Sequence, residues 1–154
     1  MEIHNKNDEA LLLTIKVKYH DGELEHLYRS EKGDWVDLRS RLNIEAKAGE
    51  VYYIPLGVSM ELPEGYEAYL IPRSSSFKKF GFMQTNSIGL IDESYRGDND
   101  EWLLPVIFVV DGHIKKGDRI CQFRIQKKMP EIEFQTVNHL DNLDRNGFGS
   151  TGVN

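Results

Sequence analysis

Turn signals recur so closely along this chain that no long element fits between them. Asp21-Gly22, Lys32-Gly33-Asp34, Pro63-Glu64-Gly65, Asp111-Gly112 and Lys115-Lys116-Gly117-Asp118 are clusters of the residues that turns favour. Between them lie short runs of period two, with Ile15, Val17 and Tyr19 opposing Thr14, Lys16 and Lys18, and with Val58, Met60 and Leu62 facing one way. The first of these reads as an edge strand with one wet face. Residues 51–54 are rich in β-branched and aromatic side chains, and 66–71 resume the β pattern until Pro72 ends it. Residues 102–110 form a nearly continuous apolar run, a core strand tolerating Pro105 at a bulge or an edge. In 119–125 the alternation sets Cys121, Phe123 and Ile125 on one face and Ile120, Gln122 and Arg124 on the other, and 131–137 gives one more alternating strand. Helical spacing occurs once, where serines precede Phe77 and Phe80. That is a short helix capped by a serine and stopped by Gly81. Many short strands and one short helix predict an all-β sandwich, barrel or jelly roll.

A length of 154 residues with 40% hydrophobic content suits one compact domain, here residues 1–137, followed by a polar, glycine-rich arm over 138–154. A formal charge of -6 lacks the broad basic face that gripping long nucleic acid needs, so no nucleic-acid partner is expected. A small anion can still be served locally by a few arginines and backbone N–H groups. Cys121 has no second cysteine to bond, and His4, His20, His26, His113 and His139 are scattered without zinc-ligand spacing. A reducing compartment follows. The first residues lack the apolar core of a signal peptide, and no run approaches membrane-spanning length, so the expectation is a cytoplasmic protein with no membrane partner.

The chemistry-bearing residues cluster. Asn86-Ser87-Ile88-Gly89-Leu90-Ile91-Asp92-Glu93-Ser94-Tyr95-Arg96-Gly97-Asp98 packs an amide, a carboxylate, an aromatic hydroxyl and two glycines into one turn-flanked segment. Asp92 follows Leu90-Ile91 and precedes a polar run. A carboxylate held where a buried strand emerges, desolvated on one side, can take a proton from water as that water attacks phosphorus. Arg73-Ser74-Ser75 offers a cation and hydroxyls at a helix start, and Gly147-Phe148-Gly149-Ser150-Thr151-Gly152 lets amides approach an anion while Phe148 offers a ring to a base. Taken singly, Asp37 is a turn carboxylate, the serine run an N-cap, Gln122 a strand residue on a wet face, Tyr95 a half-buried aromatic and the tail a disordered end.

In order, these clusters resemble the five motifs of the homotrimeric dUTPase family. Val36-Asp37-Leu38-Arg39 is similar to the first, Pro72-Arg73-Ser74-Ser75 to the second, and 89–98 to the third. Gly117-Asp118-Arg119-Ile120-Cys121-Gln122 is similar to the fourth, and Arg145 with 147–152 to the fifth. The resemblance implies a jelly-roll-like, β-clip fold with a flexible C-terminal arm. It further implies a homotrimer whose active sites are shared among chains, and Mg2+-dependent hydrolysis of dUTP to dUMP and pyrophosphate, limiting uracil in DNA and supplying dUMP.

By that resemblance Asp92 activates the water and Gln122 lies near it. Arg73, Ser74, Ser75 and Gln122 hold the phosphates, and Asn86 with the Leu90 and Ile91 backbone reads uracil. Tyr95 packs under the deoxyribose and excludes a 2′-hydroxyl. Arg145, Phe148, Gly149, Ser150 and Thr151 close the lid, while Asp37 reaches magnesium through water. The chain departs from the family pattern at Trp35 and Val36, in the spacing from Arg145 to Phe148, and in the acidic run Asp98-Asn99-Asp100-Glu101. The rival readings are a dCTP deaminase, which would share the phosphate elements, and a regulatory protein that keeps the pocket but acts on a protein partner. Tyr95 and the complete tail favour the triphosphatase.

Overall fold

The computed structural model describes residues 12–147. Among them are eleven strands and one short helix: β1 Lys16–Tyr19, β2 Val36–Arg39, β3 Ile44–Ala46, β4 Val51–Pro55, β5 Val58–Glu61, β6 Tyr66–Pro72, α1 Ser76–Phe80, β7 Phe82–Gln84, β8 Gly89–Ile91, β9 Leu103–Phe108, β10 Gly112–Ile114 and β11 Arg119–Lys127. All ladders are antiparallel. The sheet that matters for chemistry has the order β2-β11-β6-β8, with a second of order β4-β9-β7 and two-stranded pairs β1-β5 and β10-β3. This is the all-β, jelly-roll-type architecture the sequence implies.

The core lies between these sheets. Trp102, Phe82 and Phe108 are fully buried with Leu38, Ile54, Leu70 and Ile120. Edge-on aromatic contacts join Trp102 to Phe123 and Phe82 to Phe108, with centroids 5.2 and 6.0 Å apart. β1 is an edge strand, as the alternation predicts, with Lys16 and Lys18 exposed.

Four local readings change. Residues 131–137 form no strand and are exposed throughout, pairing with no strand among the described residues. Phe134 is 91% exposed there. Pro105 lies neither at an edge nor at a bulge but in the central strand β9, opposite Tyr53. It is tolerated because β7 ends at the Gln84–Val106 pair; beyond it the Pro105 carbonyl accepts the Thr85 N–H at 3.0 Å and no proline N–H is required. In β11 the register against β2 shifts between Arg119 and Cys121, so Ile120 and Cys121 are both buried instead of facing opposite ways. Finally, Ser75 occupies the N-cap of α1 without using its hydroxyl, and the buried Ser76 bonds instead, accepting from Arg73 N–H at 3.0 Å and donating to the Ile120 carbonyl at 2.8 Å. Gly81 ends the helix with φ 78°, the left-handed conformation that the stop signal predicts.

Candidate active site

β11 lies between β2 and β6, and that order assembles the first half of the site. Gln122 stands opposite Asp37 on one side and Ile71 on the other, while Cys121 stands opposite Pro72. Arg73, leaving β6, brings its Nε to 2.9 Å from Asp37 Oδ1, and Arg119 Nη1 lies 3.3 Å from Oδ2. Two guanidiniums around one carboxylate leave a surplus positive charge, which suits a polyanion. Gln122 Nε2 donates to the Pro72 carbonyl at 3.2 Å, which fixes the side chain beside Arg73. The Ser74 and Ser75 hydroxyls make no hydrogen bond within the described residues, since Ser76 has taken over the local bonding. Arg39 is committed elsewhere, to Glu25 and the Gly117 carbonyl, both at 2.7 Å.

Burial, with Asp37 adding to it, pushes the Cys121 thiol well above its usual range, so it is no nucleophile. Trp35 receives Arg124, whose guanidinium sits 5.5 Å from the ring centroid. That contact accounts for a bulky residue before Asp37. A cavity of about 180 Å³, lined by Tyr19, His26, Trp35, Asp37 and Arg119 among others, adjoins this cluster.

The second half is the hairpin after β7. β8 is an edge strand, paired with β6 through Ala68–Ile91, Tyr69–Leu90 and Leu70–Gly89, so the outer backbone edge of Leu90 and Ile91 carries no ladder. Asp92 follows at once. Its Oδ1 accepts the Ser94 N–H at 2.8 Å; bonding from the Ser94 side chain and backbone, aided by Lys128, holds the carboxyl below its ordinary value. Asp92 is exposed, so the one-sided desolvation expected from Leu90-Ile91 is not seen within this chain. The next residue anchors the turn. Glu93 accepts the Gly65 N–H at 2.6 Å and pairs with Lys128, the residue that follows β11.

Tyr95 donates its hydroxyl to the Glu101 carbonyl at 2.9 Å. The Glu101 carboxylate takes Arg41 through Nε at 2.6 Å and Nη2 at 2.9 Å, and Asp100 caps the Gly97 N–H at 2.7 Å. The acidic run is therefore the brace of the tyrosine. Asn86 accepts from the buried Gln84, a contact the sequence analysis misses. The signal was present: Gln84 shares the inward phase of β7 with Phe82.

The two halves do not meet within one chain. Asp92 follows the Ala68 end of β6 and Arg73 follows its Pro72 end. Continuing that register sets Asp92 beside Glu67, six residues along the strand direction from Arg73, a separation of about 20 Å at 3.3 Å per residue. Arg145 lies exposed near the end of the described arm, and Phe148, Gly149, Ser150 and Thr151 lie outside the described residues. Among the described residues no cluster of three or more His, Cys, Asp or Glu could hold a metal. Likewise, no described helix is long and apolar enough to cross a membrane.

The dUTPase family model matches residues 27–152. The chain is 55% identical over 141 residues to the SPbeta prophage-derived deoxyuridine 5'-triphosphate nucleotidohydrolase YosS of Bacillus subtilis, covering 92% of this chain and 99% of that protein. It superposes on the Staphylococcus bacteriophage 80alpha dUTPase solved with dUPNHPP at a TM-score of 0.75 with 21% identity, covering 91% of this chain and 99% of that one. A dUTPase from phage phi11 of S. aureus, solved with a structural Mg(II) ion, matches at a TM-score of 0.69 with 18% identity, covering 84% and 100%.

Proposed function

This chain belongs to the dUTPase family, and from that premise we propose that it hydrolyses dUTP to dUMP and pyrophosphate in a site shared between subunits of a homotrimer. The observation that carries the reading is the arginine pair around Asp37 beside Gln122, with the Ser74 and Ser75 hydroxyls free of other bonds. Those groups would grip a triphosphate. Asp92 would take a proton from water as its oxygen bonds to the α-phosphorus. The bond from that phosphorus to the α–β bridging oxygen then breaks, and pyrophosphate leaves. Asn86 and the free edge of β8 would read the base, and the Tyr95 ring, braced through Glu101, would pack under the deoxyribose.

One carboxylate held by two arginines makes no all-protein magnesium cage, but it fits an ion carried mainly by substrate phosphates and touched by Asp37 through water. Such an ion supplies charge neutralisation on the phosphates.

The trimer is supported by two features. The hairpin and the phosphate cluster are too far apart to serve one substrate from one chain. Beyond β11 the arm also exposes Met129, Ile132, Phe134, Leu140 and Leu143, apolar surface that a neighbouring subunit would cover. Arg145, Phe148, Gly149, Ser150 and Thr151 would then close over a neighbour's site. A cytoplasmic location and a role in limiting uracil in DNA complete the proposal.

Pyrophosphate release measured with magnesium and each of dUTP, dCTP, dTTP and UTP tests it. Release from dUTP alone is expected, and ammonia from dCTP overturns it in favour of a deaminase. Deleting residues 144–154 is expected to lower dUTP turnover by about a hundredfold or more, the scale of losing positioning groups, with the melting temperature of the body unchanged. Unaltered turnover in that truncation rejects the role of the arm.

A further inference from the structure

We infer that Gln84 is a positioning residue that sets the hydrogen-bonding polarity of Asn86, so that the base pocket accepts a ring carbonyl and refuses an amino group. The inference rests on the reading of Asn86 under Proposed function and adds how its selectivity is built.

Gln84 ends β7 on the same face as Phe82, and the two side chains are 8% and 1% exposed. A buried amide must be paired to be tolerated. Gln84 Nε2 makes both available bonds, to the Leu70 carbonyl at 3.1 Å and to Asn86 Oδ1 at 2.8 Å. The Leu70 carbonyl can only accept, so the glutamine must present its NH2 group to it. That same NH2 has one hydrogen left. The atom of Asn86 that meets it must be an acceptor, so Oδ1 faces inward.

The opposite arrangement sets Gln84 Oε1 against the Leu70 oxygen, two acceptors with no proton between them in a buried place. A fixed main-chain carbonyl thus dictates, through two amides in series, that Nδ2 is the free group of Asn86. Nδ2 can only donate. It makes no hydrogen bond to the described residues, and Asn86 is exposed.

Two further features belong to the relay. Gly89 packs against the relay, because a Cβ there would press on Leu70 Cβ at 3.1 Å and touch Gln84 Nε2 at an ordinary contact distance of 3.5 Å. Gln84 Oε1 is also buried without a partner. Methionine, of similar volume, would avoid that unpaired acceptor. What it cannot supply is the two donors.

The chemistry selects the ring. Uracil carries a keto oxygen where cytosine carries an amino group, so a donor-only asparagine bonds the first and meets the second donor to donor. Without Gln84 the asparagine amide turns over freely and offers either group.

The test compares kcat/KM for dUTP and dCTP, measured as pyrophosphate release, in the unsubstituted protein, Gln84→Met and Asn86→Asp. Because the ratio is taken within one preparation, it does not depend on how much of a variant folds. The dUTP-to-dCTP ratio is expected to fall about tenfold in Gln84→Met, the worth of one hydrogen bond, with dCTP efficiency rising relative to dUTP. It is expected to fall further in Asn86→Asp, whose carboxylate keeps the Gln84 bond but offers only acceptors to the base. Asn86 is exposed, so this variant can still overturn the relay if Gln84→Met does not fold. A ratio unchanged in either folded variant overturns the relay while leaving the hydrolase intact. Failure of the unsubstituted protein to hydrolyse dUTP overturns the underlying reading, and the relay with it.

Discussion

Asp92→Asn is expected to keep dUTP binding within a few-fold of the unsubstituted protein while lowering kcat by about 10²–10⁴, the range for losing a positioned general base. The asparagine preserves the shape of the turn and can still accept the Ser94 N–H through its Oδ1. What it loses is the ability to take a proton. Equilibrium binding of a non-hydrolysable dUTP analogue beside steady-state turnover separates the two effects, and full turnover in the variant rejects Asp92 as the base. The pH dependence follows the same carboxylate. Its pKa is held below the ordinary carboxylate value in the free subunit, so the base form is present at neutral and mildly acidic pH and is lost only as pH falls through that depressed pKa. An acid limb of kcat/KM near neutrality would therefore show either that assembly desolvates Asp92 or that another group titrates.

The folding pattern was legible where one face of a strand is buried and the other wet, because alternation then records the burial. β1 follows from it, while the Gly81 stop follows from the left-handed conformation that glycine adopts at a helix end. It was illegible where a residue's role depends on what has ended beside it. Pro105 reads as an edge or bulge residue, yet it sits in a central strand because β7 stops at Gln84. Residues 131–137 alternate as a strand should, yet a ladder needs a partner, and alternation cannot say that none is supplied by the chain's own body.

The candidate site divides in the same way. Arg73, Asp37 and Gln122 could be named from their motifs, and β11 does bring them together. The bonding beneath them is set by tertiary contacts that spacing does not encode: Ser76 in place of Ser75 at α1, Glu101 braced by Arg41 under Tyr95, and Gln84 beneath Asn86. Trp35 looked anomalous before Asp37 only because its partner, Arg124, is distant in sequence.

The separation of Asp92 from Arg73 along β6 makes the second large prediction. An Arg73→Ala chain and an Asp92→Asn chain should each be nearly inactive as homotrimers, one lacking the phosphate grip and the other the base. Unfolded and refolded together, they should regain dUTP hydrolysis. In the proposed closed ring of three, each site would take its phosphate cluster from one subunit and its hairpin from the next. Every mixed trimer then contains one site with the Arg73 of one variant and the Asp92 of the other. Random assembly makes three-quarters of the trimers mixed, and one site in three is intact in each, so recovery should reach roughly a quarter of unsubstituted turnover. If each site were built within a single chain, no mixture could contain an intact one and recovery would be nil. The experiment therefore reads the division of the site directly, because both lesions persist in the mixture and only their distribution among sites has changed.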